Sequence, residues 1–162
     1  MSAGRRQELG FLFREQYAAM VRLAHLLTSD RGLAEDIAQE AFVRTWRAWN
    51  RIRNEGSAPA YLRSTVVNLA RSSLRRRLVE HRHDTAAPEG WDDPDAADRM
   101  AVLQALGRLP RRQRSVVVLR YHLDLSEQET AEALGIAQGT VKSQAHKALA
   151  RLGELLADDI DE

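Results

Sequence analysis

The stretch 125–152 constrains the fold of this chain more than any other part of the sequence. Ser126 is followed three residues later by Glu129, the spacing at which a serine caps the start of a helix and the glutamate reaches back to it. Gly135 can take the left-handed backbone conformation that ends a helix. The stretch therefore predicts a short capped helix, a tight turn at Gly135, and a second helix over 138–156.

The second of these helices divides into an apolar and a polar face. Apolar residues from Val141 to Leu156, Leu149 among them, recur at spacings of three and four and can pack against the protein. A recognition helix needs one packed side and one side that carries hydrogen-bond donors and charge into the major groove, so DNA is the first candidate ligand. The alternative is an amphipathic helix pair with a solvated polar face. The opposite face carries Thr140, Ser143, Gln144, Lys147 and Arg151.

Composition limits the class of protein. The chain has 162 residues, 44% of them hydrophobic and 6% aromatic, which allows one domain or two small ones with Leu-, Val- and Ala-rich cores. It has no cysteine, which excludes disulfides and cysteine metal sites. No apolar run approaches the roughly 20 residues that span a bilayer, and the N-terminal apolar stretch is too short for a signal peptide. We expect a soluble cytoplasmic protein without a membrane partner.

Charge is arranged in blocks although the formal net charge is only +1. Six arginines and one glutamate lie in 61–83, every charged residue in 84–98 is acidic, and every one in 99–120 is arginine. The acidic block contains Pro88 and Pro94 and has no apolar period, which is typical of a linker. The predicted organisation is a domain over 7–83, a flexible acidic linker over 84–96, and a second domain over 97–156.

Helical periodicity accounts for both domains, and no strand pattern competes with it. In the first helix an apolar stripe begins with Leu9, Leu12 and Phe13. Pro110 suits the first position of a later helix. The fold class predicted is therefore all-α, with two small helical domains. The helices are expected at about 7–27, 33–52, 60–79, 95–106, 110–122, 127–134 and 138–156.

The second predicted helix has a face that mixes carboxylates with a large aromatic side chain. Such a mixture suits a protein interface, where aromatic groups anchor and polar groups fix the register. The alternative, slightly favoured by the pattern alone, is that Phe42, Trp46 and Trp49 are all core residues. The residues of this face are Asp36, Gln39, Glu40, Val43, Trp46 and Arg47.

The third predicted helix is strongly basic. Its arginines recur at spacings of three to five, Tyr61 lies at its start and Asn68 in its middle. Arginines neutralise phosphates, and tyrosine or asparagine can stack on or pair with exposed bases, which favours a nucleic-acid surface. A solvated basic face is the alternative.

No motif indicates catalysis or a bound cofactor. The sequence has no phosphate-binding glycine loop and no nucleophile elbow. His81 and His83 are close together, but no further ligand stands at metal-binding spacing, so we interpret them as a solvated pair.

Three segments in this order resemble the sigma-70 family of bacterial RNA polymerase sigma factors. The match is to the short extracytoplasmic-function (ECF) group, and to its actinobacterial SigE-type members. The segment 34–42 resembles region 2.2 of the family, and 109–121 together with 125–126 and 139–143 resembles region 4, which includes the helix-turn-helix. The resemblance covers the chain from about Leu9 to Leu156.

The resemblance implies a surface for core RNA polymerase. In the family, region 2.2 contacts the clamp helices of the largest polymerase subunit. The second predicted helix occupies the matching positions. The implied polymerase-binding residues are Asp36, Gln39, Glu40, Phe42 and Trp46.

The resemblance also implies that the third predicted helix captures the melted −10 element of promoter DNA. In the family, regions 2.3 and 2.4 flip a base of the non-template strand into a pocket, and the cost of unstacking is offset by stacking and pairing there. The implied −10 residues are Tyr61, Asn68, Arg71, Arg75 and Arg76.

The last helix matches the family element that reads the −35 major groove. Many relatives have arginine where Gln144 stands, and glutamine prefers adenine edges where arginine prefers guanine. We therefore expect a different −35 preference at that position. The implied −35 residues are Thr140, Lys142, Ser143, Gln144, Lys147 and Arg151.

The resulting hypothesis is a non-enzymatic promoter-specificity subunit whose partners are core RNA polymerase and promoter DNA. The sequence leaves open whether an anti-sigma factor holds it inactive. A stand-alone helix-turn-helix regulator is the rival, but it leaves the face over 36–46 unexplained. A helical interaction module without a DNA role is a second rival, and it requires the arginine clusters to be solvated faces only.

Overall fold

The computed structural model describes residues 3–55, 57–76 and 96–160, with the side chains of 53–55, 74–76, 96 and 159–160 outside that description. The described residues are helical with short connections and contain no strand, which confirms the all-α prediction. The elements are α1 (Ala3–Thr28), α2 (Arg31–Arg47), α3 (Trp49–Glu55), α4 (Ala58–Arg76), α5 (Ala96–Arg108), α6 (Arg111–Val117), a π-helical turn (Val118–His122), α7 (Glu127–Leu134) and α8 (Gln138–Ile160).

The described helices form two compact units. The first contains α1 to α4, and the second contains α5 to α8 with the π-helical turn. All but the last residue of the predicted linker over 84–96 lies outside the described residues, so its boundaries stay a prediction.

The first unit is built on α1, which packs against α2 and α4. Leu23, Leu62 and Val66 are fully buried among these helices. Asp30 starts α2 because its Oδ1 accepts a hydrogen bond from the backbone N–H of Leu33 at 3.0 Å. The chain therefore turns at Asp30, and α2 packs back against α1.

The predicted helix over 33–52 is wrong as one element, because α2 ends at Arg47 and α3 begins at Trp49. Ala48 lies between them with φ −89° and ψ 1°, and no glycine or proline marks the break in the sequence. Trp49 is buried beside Leu9 and Leu12. The break thus accompanies the burial of a large side chain, a tertiary effect that the local sequence does not signal.

The second unit has a core of Val116, Val118, Leu119 and Val141, all fully buried. The predicted helix over 110–122 is α6 followed by the π-helical turn, and Pro110 is the residue before α6 and not its first residue. A π-helical turn has one residue more in each hydrogen-bonded turn than an α-helix, and such turns are often found near functional sites. Here it directly precedes the loop that leads into α7.

Arg114 joins α5 to α6 inside the second unit. Its Nε donates a hydrogen bond to the carbonyl of Leu106 at 3.0 Å, and its Nη2 donates to the carbonyls of Gly107 at 3.3 Å and Leu109 at 3.2 Å. These carbonyls lie at and just after the end of α5, where helical donors run out, and the Leu106 carbonyl also accepts from the backbone N–H of Leu109 at 3.1 Å. Burial first, and the charge of Arg111 second, lower the pKa of the Arg114 guanidinium.

The predicted helix-turn-helix is confirmed in the second unit. The backbone N–H of Glu129 donates to Ser126 Oγ at 3.0 Å, and the N–H of Ser126 donates to Glu129 Oε2 at 2.7 Å. Gly135 ends α7 with φ 64° and ψ 38°, and the N–H of Ile136 donates to the Ala131 carbonyl at 3.1 Å. The bounds of α7 follow directly from these caps.

Candidate functional surfaces

The polar face of α2 is open to solvent. Asp36 and Gln39 are exposed, and Trp46, two turns after Gln39, is 42% exposed. Glu40 is half-buried and pairs with Arg44, whose Nε lies 2.8 Å from Glu40 Oε1. Val43 on the same helix is 43% exposed, so Trp46 belongs to a larger exposed apolar surface, which is unusual for a merely solvated face. The structure therefore presents these four predicted residues together along one helix.

The aromatic residues of α2 and α3 do not share one environment. Trp49 is buried, Phe42 is half-buried and Trp46 is exposed. The ring of Phe42 lies 5.0 Å from that of Phe13 and 6.0 Å from that of Tyr17. The alternative interpretation, that all three are core residues, is therefore wrong for Trp46 and correct for Trp49.

An apolar groove between α1 and α2 was missed by sequence reasoning. Its cavity volume is about 680 Å³. Phe13, predicted on the buried stripe of α1, is 46% exposed here, and Val43 is 43% exposed. The sequence contains one signal of this groove. The start of α1 has more large apolar residues than a single buried stripe of the helix can hold. The groove is lined by Arg6, Leu9, Gly10, Phe13, Phe42, Val43, Trp46 and Arg47.

The basic helix of the first unit is α4. Tyr61 is half-buried and lies under Arg51, whose guanidinium carbon is 6.0 Å from the ring centroid. Asn68 stands seven residues later on the same side of the helix and is exposed, and Arg71 is half-buried one turn further. Tyr61, Asn68 and Arg71 thus lie along one part of α4. Arg75 and Arg76 belong to its last turn, and their side chains lie outside the described part of the structure.

Helix α8 exposes its predicted −35 residues to different degrees. Lys142, Ser143, Lys147 and Arg151 are exposed, whereas Thr140 and Gln144 are half-buried at the border of the packed face. The prediction that Thr140 and Gln144 lie opposite the packed face is therefore wrong in detail. Their position follows from the helical period, which places them next to fully buried Val141 and Ala148.

The same helix holds one further correction and one exposed residue that the sequence analysis did not name. Leu149, predicted on the apolar face, is 45% exposed, because neighbouring Ala148 takes the buried position. His146 is exposed one turn after Lys142 and was not among the predicted residues. The Ser143 hydroxyl donates to the Thr140 carbonyl at 3.2 Å, and Arg151 Nη1 lies 3.0 Å from Glu154 Oε2.

The described part of the chain holds no cluster of three or more histidine, aspartate or glutamate side chains that could bind a metal ion. His81 and His83 lie outside the described residues. Within the same described ranges, every helix is too short or too polar to cross a membrane.

Comparison with known proteins matches both units. A family model described as "Sigma-70 region 2" matches residues 12–78, and one described as "Sigma-70, region 4" matches residues 99–152. The chain is 41% identical over 152 residues to the RNA polymerase sigma-E factor of Streptomyces coelicolor, covering 91% of this chain and 86% of that protein. The chain belongs to the sigma-70 family. It is an ECF sigma factor with regions 2 and 4.

Other relatives of this sigma factor agree. The ECF RNA polymerase sigma factor SigM of Mycobacterium tuberculosis is 37% identical over 161 residues, which cover 95% of this chain and 80% of SigM. Among solved structures, the sigma factor RpoE in complex with the anti-sigma factor NepR from Bartonella quintana has a TM-score of 0.74 at 24% identity, covering 93% of this chain and 98% of that chain. CnrH in complex with the cytosolic domain of CnrY has a TM-score of 0.66 at 23% identity, covering 95% and 90%. These structures support the fold.

Proposed function

We propose that this sigma factor binds core RNA polymerase and directs promoter-specific initiation by reading −35 and −10 elements. The observation that carries the proposal is that the two units expose two different faces. The first unit presents the carboxylate and aromatic face of α2, and the second presents the polar side of α8. A protein that only bound duplex DNA would have no use for the first of these faces.

The polymerase contact is assigned to Asp36, Gln39, Glu40, Phe42 and Trp46. Exposed Trp46 can enter a pocket of the partner and supply most of the binding energy, as aromatic hot spots do. Asp36 and Gln39 lie on the same face and can fix the register by charge and hydrogen bonding. Half-buried Phe42 packs against Phe13 and so fixes the position of this face relative to α1.

The −10 contact is assigned to α4, with Tyr61, Asn68, Arg71, Arg75 and Arg76. Arg51 holds Tyr61 in place by a cation–π contact, so the ring is pre-positioned for stacking against an unpaired base. Exposed Asn68 can pair with a base edge or a phosphate. Arginines toward the end of α4 add charge that attracts the DNA backbone.

The −35 contact is assigned to α8, with Thr140, Lys142, Ser143, Gln144, Lys147 and Arg151. The helix begins at Gln138, so the first of these residues lie in the N-terminal turns that reach base edges in helix-turn-helix proteins. Lys147 and Arg151 are exposed further along, where they can contact phosphates.

The chain supplies recognition and no catalysis in this proposal, because phosphodiester chemistry belongs to the core enzyme. It acts in the cytoplasm, where the polymerase transcribes. The solved relative named RpoE was crystallised with an anti-sigma factor, which supports a partner of that class for this chain as well.

The proposal is tested by adding the purified chain to core polymerase and measuring binding and run-off transcription from genomic fragments. We expect binding, with Asp36→Ala weakening it about tenfold, as loss of one charged partner of an interface contact does. Glu15→Ala removes an exposed carboxylate of α1 and serves as the matched control. Absence of core binding, or equal binding by the Asp36 and Glu15 variants, would contradict the proposal.

A further inference from the structure

We propose that Arg5 is a positioning residue for polymerase binding, because it holds Trp46 at the surface of the first unit and keeps its indole out of the groove between α1 and α2. The inference rests on the proposed function, which assigns Trp46 to the polymerase contact. Arg5 precedes residue 12, where the match to the region 2 family model begins. The role of Arg5 is therefore a feature of this chain and not of the matched region.

Arg5 contacts Trp46 in two ways, although the two residues are 41 positions apart in the sequence. Its Nη2 donates a hydrogen bond to the Trp46 carbonyl at 2.9 Å. Its guanidinium carbon lies 6.0 Å from the centroid of the Trp46 ring, a separation at which the face of an indole attracts a cation. One side chain therefore holds both the backbone and the ring of Trp46.

The end of α2 favours a cation at this place. The Trp46 carbonyl lies in the last turn of α2, which ends at Arg47. Carbonyls at a helix C-terminus carry a partial negative charge, so an arginine that bonds one of them is stabilised there. Among the side chains that the structure describes, no carboxylate pairs with Arg5. The charge of Arg5 is therefore directed at the carbonyl and the ring of Trp46.

The burial of Arg5 also has an unfavourable part. Its Nε is buried and has no hydrogen-bond partner within the described ranges. A buried donor without a partner opposes folding, because the donor has lost its water and gained nothing in exchange. Stability alone is therefore a weak reason for this contact, and its effect on Trp46 is a stronger one.

The groove beside Trp46 is the place to which an unrestrained indole would move. The groove has a volume of about 680 Å³ and apolar walls that include Leu9, Phe13 and Val43. Trp46 lines one part of it and is 42% exposed, and the hydrophobic effect favours burial of that exposed area. By holding the ring, Arg5 keeps the indole exposed and lowers the cost of ordering it when polymerase binds.

The fluorescence of Trp46 measures the position of its indole without polymerase. The chain has three tryptophans, so the emission of each variant minus that of the same variant with Trp46→Phe isolates Trp46. We expect Arg5→Met to shift this emission to shorter wavelength, because the indole enters the apolar groove. Arg14→Met removes an exposed arginine of α1 that does not line the groove, and it should leave the emission of Trp46 unchanged.

Binding of the full chain to core polymerase gives the second measurement. We expect Arg5→Met to weaken binding about three- to tenfold, with unchanged helical circular dichroism, and Arg14→Met to have less than about a twofold effect. In a chain that already carries Trp46→Ala, Arg5→Met should also have less than about a twofold effect, because residues that act through one contact are not additive.

An unchanged emission of Trp46 in Arg5→Met, or equal losses of binding with and without Trp46→Ala, would overturn the inference and leave the proposed function standing. Failure of the wild-type chain to bind core would contradict the proposed function instead. The emission of Trp46 would then show by itself whether Arg5 positions the indole.

Discussion

Gln144 is the residue of α8 on which promoter preference depends most in this account. It is half-buried at the border of the packed face, so its side chain leaves the helix in a restricted direction. A glutamine amide pairs with the N6 and N7 of adenine, and an arginine guanidinium pairs with the O6 and N7 of guanine. A single side chain at this border position can therefore decide between two bases.

We predict that Gln144→Arg changes the preferred base at one −35 position from adenine to guanine. Each correct pairing discriminates against the wrong base by about 1–3 kcal/mol, which is roughly a 5- to 150-fold change in relative promoter use. The measurement is competitive transcription by holoenzyme from templates that differ at that position. Lys147→Ala is the control, because loss of a phosphate contact should weaken all templates alike. An unchanged base preference would contradict the assignment of Gln144.

Arg114 stabilises the second unit by bonding the carbonyls at the end of α5. We predict that Arg114→Met lowers the free energy of unfolding by about 1–3 kcal/mol, because the carbonyls of Gly107 and Leu109 lose this donor. Urea denaturation measures this. Arg111→Met removes an exposed arginine three residues away and should stay within about 0.5 kcal/mol of wild type. Equal losses from the two variants would show that the carbonyl bonds contribute nothing specific.

At the scale of elements, local signals explain where prediction succeeded and where it failed. Ser126, Glu129 and Gly135 are capping residues, and α7 therefore has the predicted bounds. The break at Ala48 carries no such signal and depends on burial of Trp49 against α1. The groove depends equally on tertiary packing, since its lining comes from two helices that only the fold brings together. Local chemistry thus predicted the helix-turn-helix better than the groove between α1 and α2.

The capping box predicts a specific loss in α7. Ser126→Ala removes the Oγ that accepts from the Glu129 N–H, and we expect it to lower the free energy of unfolding by about 1 kcal/mol. Ser115→Ala, a half-buried serine in the interior of α6, should cost less because it removes no cap. The comparison is made by thermal unfolding at neutral pH. A larger loss from Ser115→Ala would contradict the role of Ser126.

The same box predicts a pH dependence. Hydrogen bonds from the Ser126 backbone first and its side chain second lower the pKa of Glu129 below its usual value. A carboxyl whose pKa is lowered by folding stabilises the native state above its unfolded pKa, and that contribution is lost as pH falls through the folded pKa. The difference in Tm between wild type and Glu129→Gln should therefore be present at neutral pH and shrink in acid. A difference that grows in acid would contradict the hydrogen-bonded arrangement.

At the scale of the whole molecule, we assign different contacts with polymerase and promoter DNA to the two units. In the proposed function the first unit, with α2 and the basic helix α4, contacts the polymerase and the −10 element, and the second unit, with α8, contacts the −35 element. The net charge of +1 gives the chain little general attraction for DNA, so specificity depends on where the polymerase holds each unit. Two DNA elements should therefore be read at one separation, which the complex with core defines.

The most direct test of this account is transcription of total genomic DNA by core polymerase with and without the chain, followed by mapping of RNA 5′ ends. We predict new start sites that share two upstream sequence elements at a constant separation, near −35 and −10, and that are used less when Asp36→Ala replaces the wild-type chain at a concentration that does not saturate core. Start sites identical to those of core alone, or new sites that share only one element, would contradict promoter recognition by two units of this sigma factor.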